Sequence, residues 1–127
     1  MSQSAARDWL FDKLVGFQLP DVSVYSYPPE APSVPCLFLA DDDPVFELGR
    51  IGAASGKMNL RLVCLSPMLD SDSANALLES LTDSLIQMLQ AEGVALSVVG
   101  STKVMSFGEG FDFYSREMPI TLTVRND

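Results

Sequence analysis

Two stretches of the chain repeat apolar residues at steps of three and four, which is the spacing of one face of an α-helix. The first is predicted to form a helix over about Ala5–Val15, with Ser4 as its N-terminal cap. The second is predicted over about Ser73–Ala91, with Asp70 at its positively polarised start and Gly93 at its exit. Each helix has one apolar face and therefore needs a sheet to cover. The apolar positions of the second helix are Ala74, Leu77, Leu78, Leu81, Leu85, Met88 and Leu89.

Other stretches alternate apolar and polar residues or are apolar throughout, as β-strands do. Lys57–Leu65 alternates cleanly, whereas Val34–Ala40 is apolar on both sides and predicts a strand covered on both faces. The order of helix, strands, helix and strands predicts an α+β fold, with a single largely antiparallel or mixed sheet and two main helices packed on one face. The predicted strands are Val22–Tyr27, Val34–Ala40, Lys57–Leu65, Val94–Val99, Lys103–Phe107 and Phe111–Val124.

The segment between the second and third predicted strands carries weak core signals. Asp41–Asp43 followed by Pro44 predicts that the second strand ends there, because proline has no amide hydrogen to donate to a sheet. Three glycines follow within Val45–Gly56. We predict a long loop or a projecting hairpin around residues 41–57. The length of 127 residues predicts one domain spanning residues 1–127.

Composition and charge narrow the function classes. Apolar residues make up 47% of the chain and charged residues 20%, which predicts a folded protein. Eight basic against 17 acidic residues give a net charge of −9, which disfavours binding to nucleic acid or to an anionic membrane surface. The chain has no histidine, so His-based triads and metal sites are excluded. We therefore expect a protein that is not an enzyme, with no catalytic residue, metal site or cofactor.

Two features invite a chemical interpretation and favour a structural one. The consecutive residues Asp41–Asp43 lack the alternating ligand spacing of a calcium loop, so a solvated strand end is favoured. Cys36 and Cys64 fall on inward-facing strand positions, and no histidine is present to activate either thiol. If their strands are neighbours, the two can lie close together. Two cysteines and no signal-type N-terminal segment predict a protein made in a reducing cytoplasm.

The predicted second helix carries an acidic stripe on the side away from its leucines. No Lys or Arg occurs between Arg61 and Lys103, so no basic residue four positions along the helix relieves these charges. A solvated helix face is the ordinary interpretation. The functional alternative is a surface that repels a polyanion moving past it. The stripe consists of Asp72, Glu79 and Asp83.

Several apolar residues fall where little of the predicted core can cover them. Small domains with such residues and with open sheet edges often complete their burial against copies of themselves or against a partner. We therefore predict an oligomer. The candidate interface residues are Val45, Phe46, Ile51 and Met68.

The arrangement of these elements resembles the tail terminator (tail completion) proteins of long-tailed bacteriophages and the related minor tail proteins of prophages. A proline-rich link YPPEAPSVP leads into VPCLFLADDD; KMNLRLVCLSP, the long helix ALLESLTDSLIQMLQ and a final REMPITLTV follow. The resemblance implies a structural virion protein without catalytic residues. It implies a homo-oligomer, expected as a hexameric ring, that is assembled in the host cytoplasm and caps the head-proximal end of the tail. Such a ring contacts the tail-tube protein and the head-completion or connector protein, stops tube growth, and lets DNA pass through its lumen.

Two alternatives remain open from the sequence. Other ring proteins of the virion, at the head–tail connector or neck or in the tail tube, share small α+β subunits. From a different class, a small-molecule-binding bacterial α+β domain would need a pocket with converging polar groups. The aromatic residues that could line such a pocket are more typical of a core. They are Phe107, Phe111, Phe113 and Tyr114.

Overall fold

Two helices and six strands form the part of the chain that the computed structural model describes, namely residues 2–48, 55–67, 70–96, 98–108 and 112–125. Their order is helix, three strands, helix, three strands, which agrees with the order predicted from the sequence. The helices are α1 (Gln3–Gly16) and α2 (Ser71–Ala91); the strands are β1 (Ser23–Tyr25), β2 (Cys36–Leu48), β3 (Ser55–Ser66), β4 (Ala95–Leu96), β5 (Lys103–Ser106) and β6 (Asp112–Arg125).

All six strands belong to one sheet, in the order β1-β2-β3-β6-β4, with β5 also paired to β6. The pairs β2–β3, β3–β6, β4–β6 and β5–β6 are antiparallel, and only the short β1 runs parallel to its neighbour β2. The sheet is thus mixed and largely antiparallel. The α+β fold class predicted from the sequence is confirmed.

Both helices pack on the same face of the sheet, as predicted. Leu10 and Leu14 of α1 and Leu78 and Leu85 of α2 are fully or almost fully buried in one apolar cluster. The alternating residues of β3 that the sequence assigned to the core face, from Met58 to Cys64, belong to this same cluster. The hydrophobic burial of these side chains is what holds the helices on the sheet.

The opposite face of the sheet carries a second, smaller apolar cluster. Cys36, Phe38 and Val63 lie at its centre and are at most 3% exposed. Phe107 packs edge-on against Phe38 with ring centroids 6.0 Å apart, and it lies 5.9 Å from Phe113. This cluster explains why the first part of β2 is apolar on both sides, since it is covered on both faces as predicted.

The helix ends follow capping rules, with one correction. The cap of α1 is Ser2 and not Ser4, because the Ser2 side chain accepts a hydrogen bond from the amide of Ala5 and the helix begins two residues earlier than predicted. Asp70 caps α2 by accepting from the amide of Ser73 at 2.9 Å. Gly93 follows α2 with a φ of +78°, a left-handed conformation that glycine adopts without strain.

The prediction that β2 ends at the aspartates is wrong, because the strand continues to Leu48. The four residues 42–45 face a single residue of β3, since Asp41 pairs with Leu60 and Phe46 pairs with Met58. This bulge accommodates Pro44. Beyond the bulge, β2 and β3 form the strands of the hairpin predicted around residues 41–57; residues 49–54 lie outside the described part of the chain.

The hairpin depends on close packing of an aromatic ring over glycine. A Cβ atom placed on Gly56 would lie 2.6 Å from the ring of Phe46 and 2.6 Å from the carbonyl oxygen of Glu47. Glycine at this position therefore lets the Phe46 ring lie across the neighbouring strand. Gly56, which the sequence predicts within the long loop or hairpin, is part of the β2–β3 ladder, opposite Leu48.

Three of the other strands are shorter than predicted. β1 is reduced to Ser23–Tyr25 and β4 to Ala95–Leu96, while β5 ends at Ser106. Between the β4 and β5 pairings, β6 has no strand on its outer edge among the described residues, and Pro119 lies in that interval. A proline is tolerated there because it interrupts no ladder on that side.

Candidate functional site

The predicted interface residues are only partly where an interface would need them. Val45 and Phe46 are half-buried and pack against the main apolar cluster, so the expectation that they are exposed is corrected. Ile51 and Met68 lie outside the described residues. The large apolar side chains that the described surface does expose are Val15, Tyr27, Leu48, Val98, Val99 and Val104, with Leu48 the most exposed at 86%.

Both outer edges of the sheet are incomplete. β1 pairs only with Cys36–Phe38, and no other described strand pairs with the outer edge of β2 beyond them. On the other side, the last residues of β6, 122–125, extend past the two-residue β4. Unpaired backbone donors and acceptors at a strand edge are a template for another strand. The described fold therefore offers two separate edges to which a further strand can be added.

An apolar groove of about 320 Å³ lies beside the open part of β6. Trp9 of α1, Val94 and Leu122 of β6 line it. Its described lining contains no acidic residue, although the chain has 17 of them. This groove and the exposed Leu48 lie at opposite edges of the sheet, because β2 and β6 flank β3 from opposite sides.

The acidic stripe of α2 is exposed, but one of its three members has a basic partner. Asp72, Glu79 and Asp83 are all exposed. No basic residue stands four positions along the helix, as the sequence shows, but the Arg116 guanidinium on β6 lies 3.5 Å from the Glu79 carboxylate. The compensating charge is 37 residues away in the chain, so helix spacing could not reveal it. Among the described side chains, Asp72 and Asp83 have no basic partner within salt-bridge distance.

Arg116 also ties the start of α2 to the segment before β5. Its Nε donates to the hydroxyl oxygen of Thr102 at 2.8 Å, and that hydroxyl donates to the side-chain oxygen of Asn75 at 2.6 Å. Glu79 therefore has a structural contact as well as a place on the stripe. A substitution at Glu79 would disturb this network, whereas substitutions at Asp72 and Asp83 would not.

Asp41 binds a buried arginine although its own side chain is 59% exposed, and the strand continues past it. Arg7 of α1 is only 4% exposed; it donates to the Asp41 carboxylate and, at 3.2 Å, to the carbonyl oxygen of Ser26. The Arg7 guanidinium also lies 4.3 Å from the centroid of the Tyr27 ring, a cation–π contact. This cluster joins α1, the end of β1 and β2. It explains why an aspartate follows Ala40 inside a continuing strand.

The face of the sheet opposite the helices has a polar half. Asn59 on β3 donates to the Glu47 carboxylate on β2 at 3.0 Å and accepts from the Thr121 hydroxyl on β6 at 3.1 Å. The Glu117 carboxylate forms ion pairs with the Arg61 guanidinium at 3.2 Å and with the Lys103 ammonium at 3.4 Å. These cross-strand contacts link the three long strands on the side without helices. Such surface ion pairs add little stability each.

The cysteines lie on neighbouring strands but on opposite faces. Cys36 pairs with Leu65 and Cys64 pairs with Leu37, so their side chains alternate to different sides of the sheet. Burial raises the pKa of each thiol from 9.0 to about 12, with Cys36 adding to the rise at Cys64. Both are buried, as the sequence predicted. Neither is poised for nucleophilic chemistry, because the reactive species is the thiolate.

The described aromatic residues considered as a pocket lining are partly buried and pack against the apolar clusters. Phe107 and Phe113 contact the second apolar cluster, and Tyr114 packs against the first. Phe111 lies outside the described residues. Across the described ranges, no three or more Cys, Asp or Glu side chains come together as a metal site would require. The features described above are open sheet edges, an apolar groove and charged surface residues.

Comparison with known proteins adds no family assignment. Neither the models of known protein families nor the curated protein sequences match this chain. Within the described residues, no helix combines the length and the apolar character that crossing a bilayer would require.

The Arg7–Asp41 contact is testable by two matched substitutions. Asp41→Ala leaves the buried guanidinium without its carboxylate, and we expect a loss of about 1–3 kcal/mol in the free energy of unfolding. Asp43→Ala removes an exposed carboxylate two positions along and should change it by less than about 0.5 kcal/mol. Urea unfolding of the two variants measures both. Equal losses for the two substitutions would contradict a special role for Asp41.

Thiol labelling tests the environment of the cysteines. A rise in pKa from 9.0 to about 12 lowers the thiolate fraction at pH 8 about a thousandfold. We expect Cys36 and Cys64 to resist a thiol-reactive dye in the folded protein at pH 8 and to react within minutes in 6 M guanidinium. A free thiol on an unstructured peptide is the control. Rapid labelling of the folded protein would show that the strands open far more readily than their burial indicates.

Proposed function

We propose that this protein is a ring-forming structural protein of a bacteriophage virion, acting as a tail terminator. The proposal rests on the resemblance in element order and size, together with the α+β fold that this resemblance implies. The ring caps the tail tube, stops its growth and offers its other face to the head-completion or connector protein. It works by assembly at the head-proximal end of the tail and needs no catalytic residue.

The observation that carries this proposal is the pair of incomplete edges on opposite sides of one sheet. An interface that joins two different surfaces of the same subunit is heterologous, and it closes into a ring when the rotation between subunits divides a full turn. β2 and β6 present such different surfaces. A subunit whose sheet is complete on both sides would give a ring no comparable contact.

The acidic stripe of α2 supports a place for DNA in this assembly. Duplex DNA carries a dense negative charge, and a wall of carboxylates repels it and lets it pass without binding. In the proposed ring the stripe faces the lumen. Asp72 and Asp83, which have no basic partner among the described side chains, supply its charge, while Glu79 is held by Arg116.

Tube growth in vitro distinguishes the terminator from its sister ring proteins. We expect tail-tube subunits polymerised with this protein to give shorter tubes, each bearing one extra ring at an end in negative-stain images. A tail-tube protein would instead lengthen the tubes or enter them, and a neck protein would leave their lengths unchanged. Tubes grown with an equal mass of an unrelated acidic protein are the control. An unchanged length distribution without end rings would refute the terminator proposal.

Charge reversal on α2 tests the lumen assignment. The double variant Asp72→Lys and Asp83→Lys should assemble normally and slow DNA ejection several-fold, because the reversed charges attract phosphates. The matched control is Glu30→Lys with Asp112→Lys, which changes the net charge equally at the β1–β2 connector and at the start of β6. The time course of ejection from particles carrying each variant is the measurement. Identical time courses for both variants would contradict a lumen-facing stripe.

A further inference from the structure

The two open edges of the sheet have complementary surfaces on the same side. Side chains alternate along a strand, and Phe46 and Leu48 lie in the rows of Met58 and Gly56, on the face that carries the helices. Phe46 packs into the main apolar cluster, whereas Leu48 is 86% exposed. At the opposite edge, the groove formed by Trp9, Val94 and Leu122 opens on this same helix-bearing face.

The strand directions determine how these edges can meet. β2 and β6 are both antiparallel to β3, so they run in the same direction within one chain. If a second copy is placed so that its β2 follows the β6 of the first, the two strands are parallel. In the register that continues the row of Glu47, Lys57 and Thr123, the Glu47 of the next copy lies beside Thr123, next to the part of β6 that extends past β4.

The features of β2 restrict this pairing to the end of the strand. The bulge at residues 42–45, Pro44 and the exposed Asp43 are devices that keep an edge from pairing. Regular pairing with β3 resumes only at Phe46–Leu48. This acidic edge needs a receiving surface without carboxylates, and the described lining of the groove has none.

We propose that a second copy of this chain covers the groove: the end of β2 of one subunit extends the sheet of the next in parallel along residues 122–125 of β6, and its exposed Leu48 packs beside Val124 at the edge of the groove. The proposal deepens the proposed ring function and rests on it. Each subunit gives its β2 end to one neighbour and its groove to the other. The contact is heterologous, so it does not give a two-fold dimer, and it closes into a ring when the rotation between subunits divides a full turn.

Engineered disulfides test the pairing directly. Glu47 and Thr123 are exposed and lie on the face away from the helices. Within one chain they are two strand spacings apart, about 10 Å, which exceeds the reach of a disulfide. The variant Glu47→Cys with Thr123→Cys should therefore form a ladder of cross-linked species under mild oxidation, ending at the size of the closed ring. Each single variant should give no ladder, because Cys36 and Cys64 are buried.

A charge placed at Leu48 gives a second, independent reading. Leu48→Glu should abolish the ring in light scattering and leave the circular dichroism of the subunit unchanged, because the side chain makes little contact within its own chain. The matched control is Val104→Glu, at another exposed apolar side chain, on β5, which pairs with the other end of β6 at residues 112–115. It should leave ring formation unchanged.

The outcomes separate this interface from the proposed function. A cross-linked ladder together with loss of the ring in Leu48→Glu supports the interface. A ring that forms without the 47–123 disulfide and survives Leu48→Glu overturns it and leaves the terminator proposal standing. A cross-linked ring that fails to shorten tail tubes supports the interface and refutes the terminator. Absence of both ladder and ring, also when tail tubes are present, overturns the interface.

Discussion

Every part of this fold depends on the alternation of side chains along β3. The strand pairs with β2 on one side and with β6 on the other, so it lies at the centre of the sheet. Every second residue from Met58 to Cys64 packs against the helices. Val63 and Leu65 belong to the cluster on the other face. A shift of one residue in its register would place the helix-facing row in solvent. This register also determines the positions of the β2–β3 hairpin, of the polar half of the sheet face without helices, and of both open edges.

The sequence was most informative where a pattern repeated over many residues. α2 and β3 each carry an unbroken apolar period, and both were placed within two residues of their ends. The predicted second strand ends too early because Asp41 and Pro44 are typical local signals of a strand end. Two non-local facts override them: Arg7, 34 residues away, binds Asp41, and a bulge absorbs Pro44. Neither fact is visible in a window around the aspartates.

At the candidate site, too, features set by local spacing could be predicted and features set by distant residues could not. The acidic stripe on α2 could be predicted because helical spacing alone places its members on one side, but its pairing with Arg116 could not. The sequence predicts that Val45 and Phe46 are exposed apolar residues, whereas the strongly exposed apolar residue of this strand is Leu48. Phe46 is partly buried because Gly56 leaves room for its ring on the neighbouring strand. Exposure of a hairpin residue is thus decided by its cross-strand neighbour, which sequence distance does not reveal.

The placement of the two cysteines has a consequence for where the folded protein can exist. Their Cβ vectors leave adjacent strands in opposite directions, and neither sulfur is accessible from solvent. A disulfide between them would require the sheet to be rebuilt. The covalent structure is therefore the same in a reducing cell interior and in an oxidising medium outside it. A protein built this way can move between those two environments without a redox-driven change of shape.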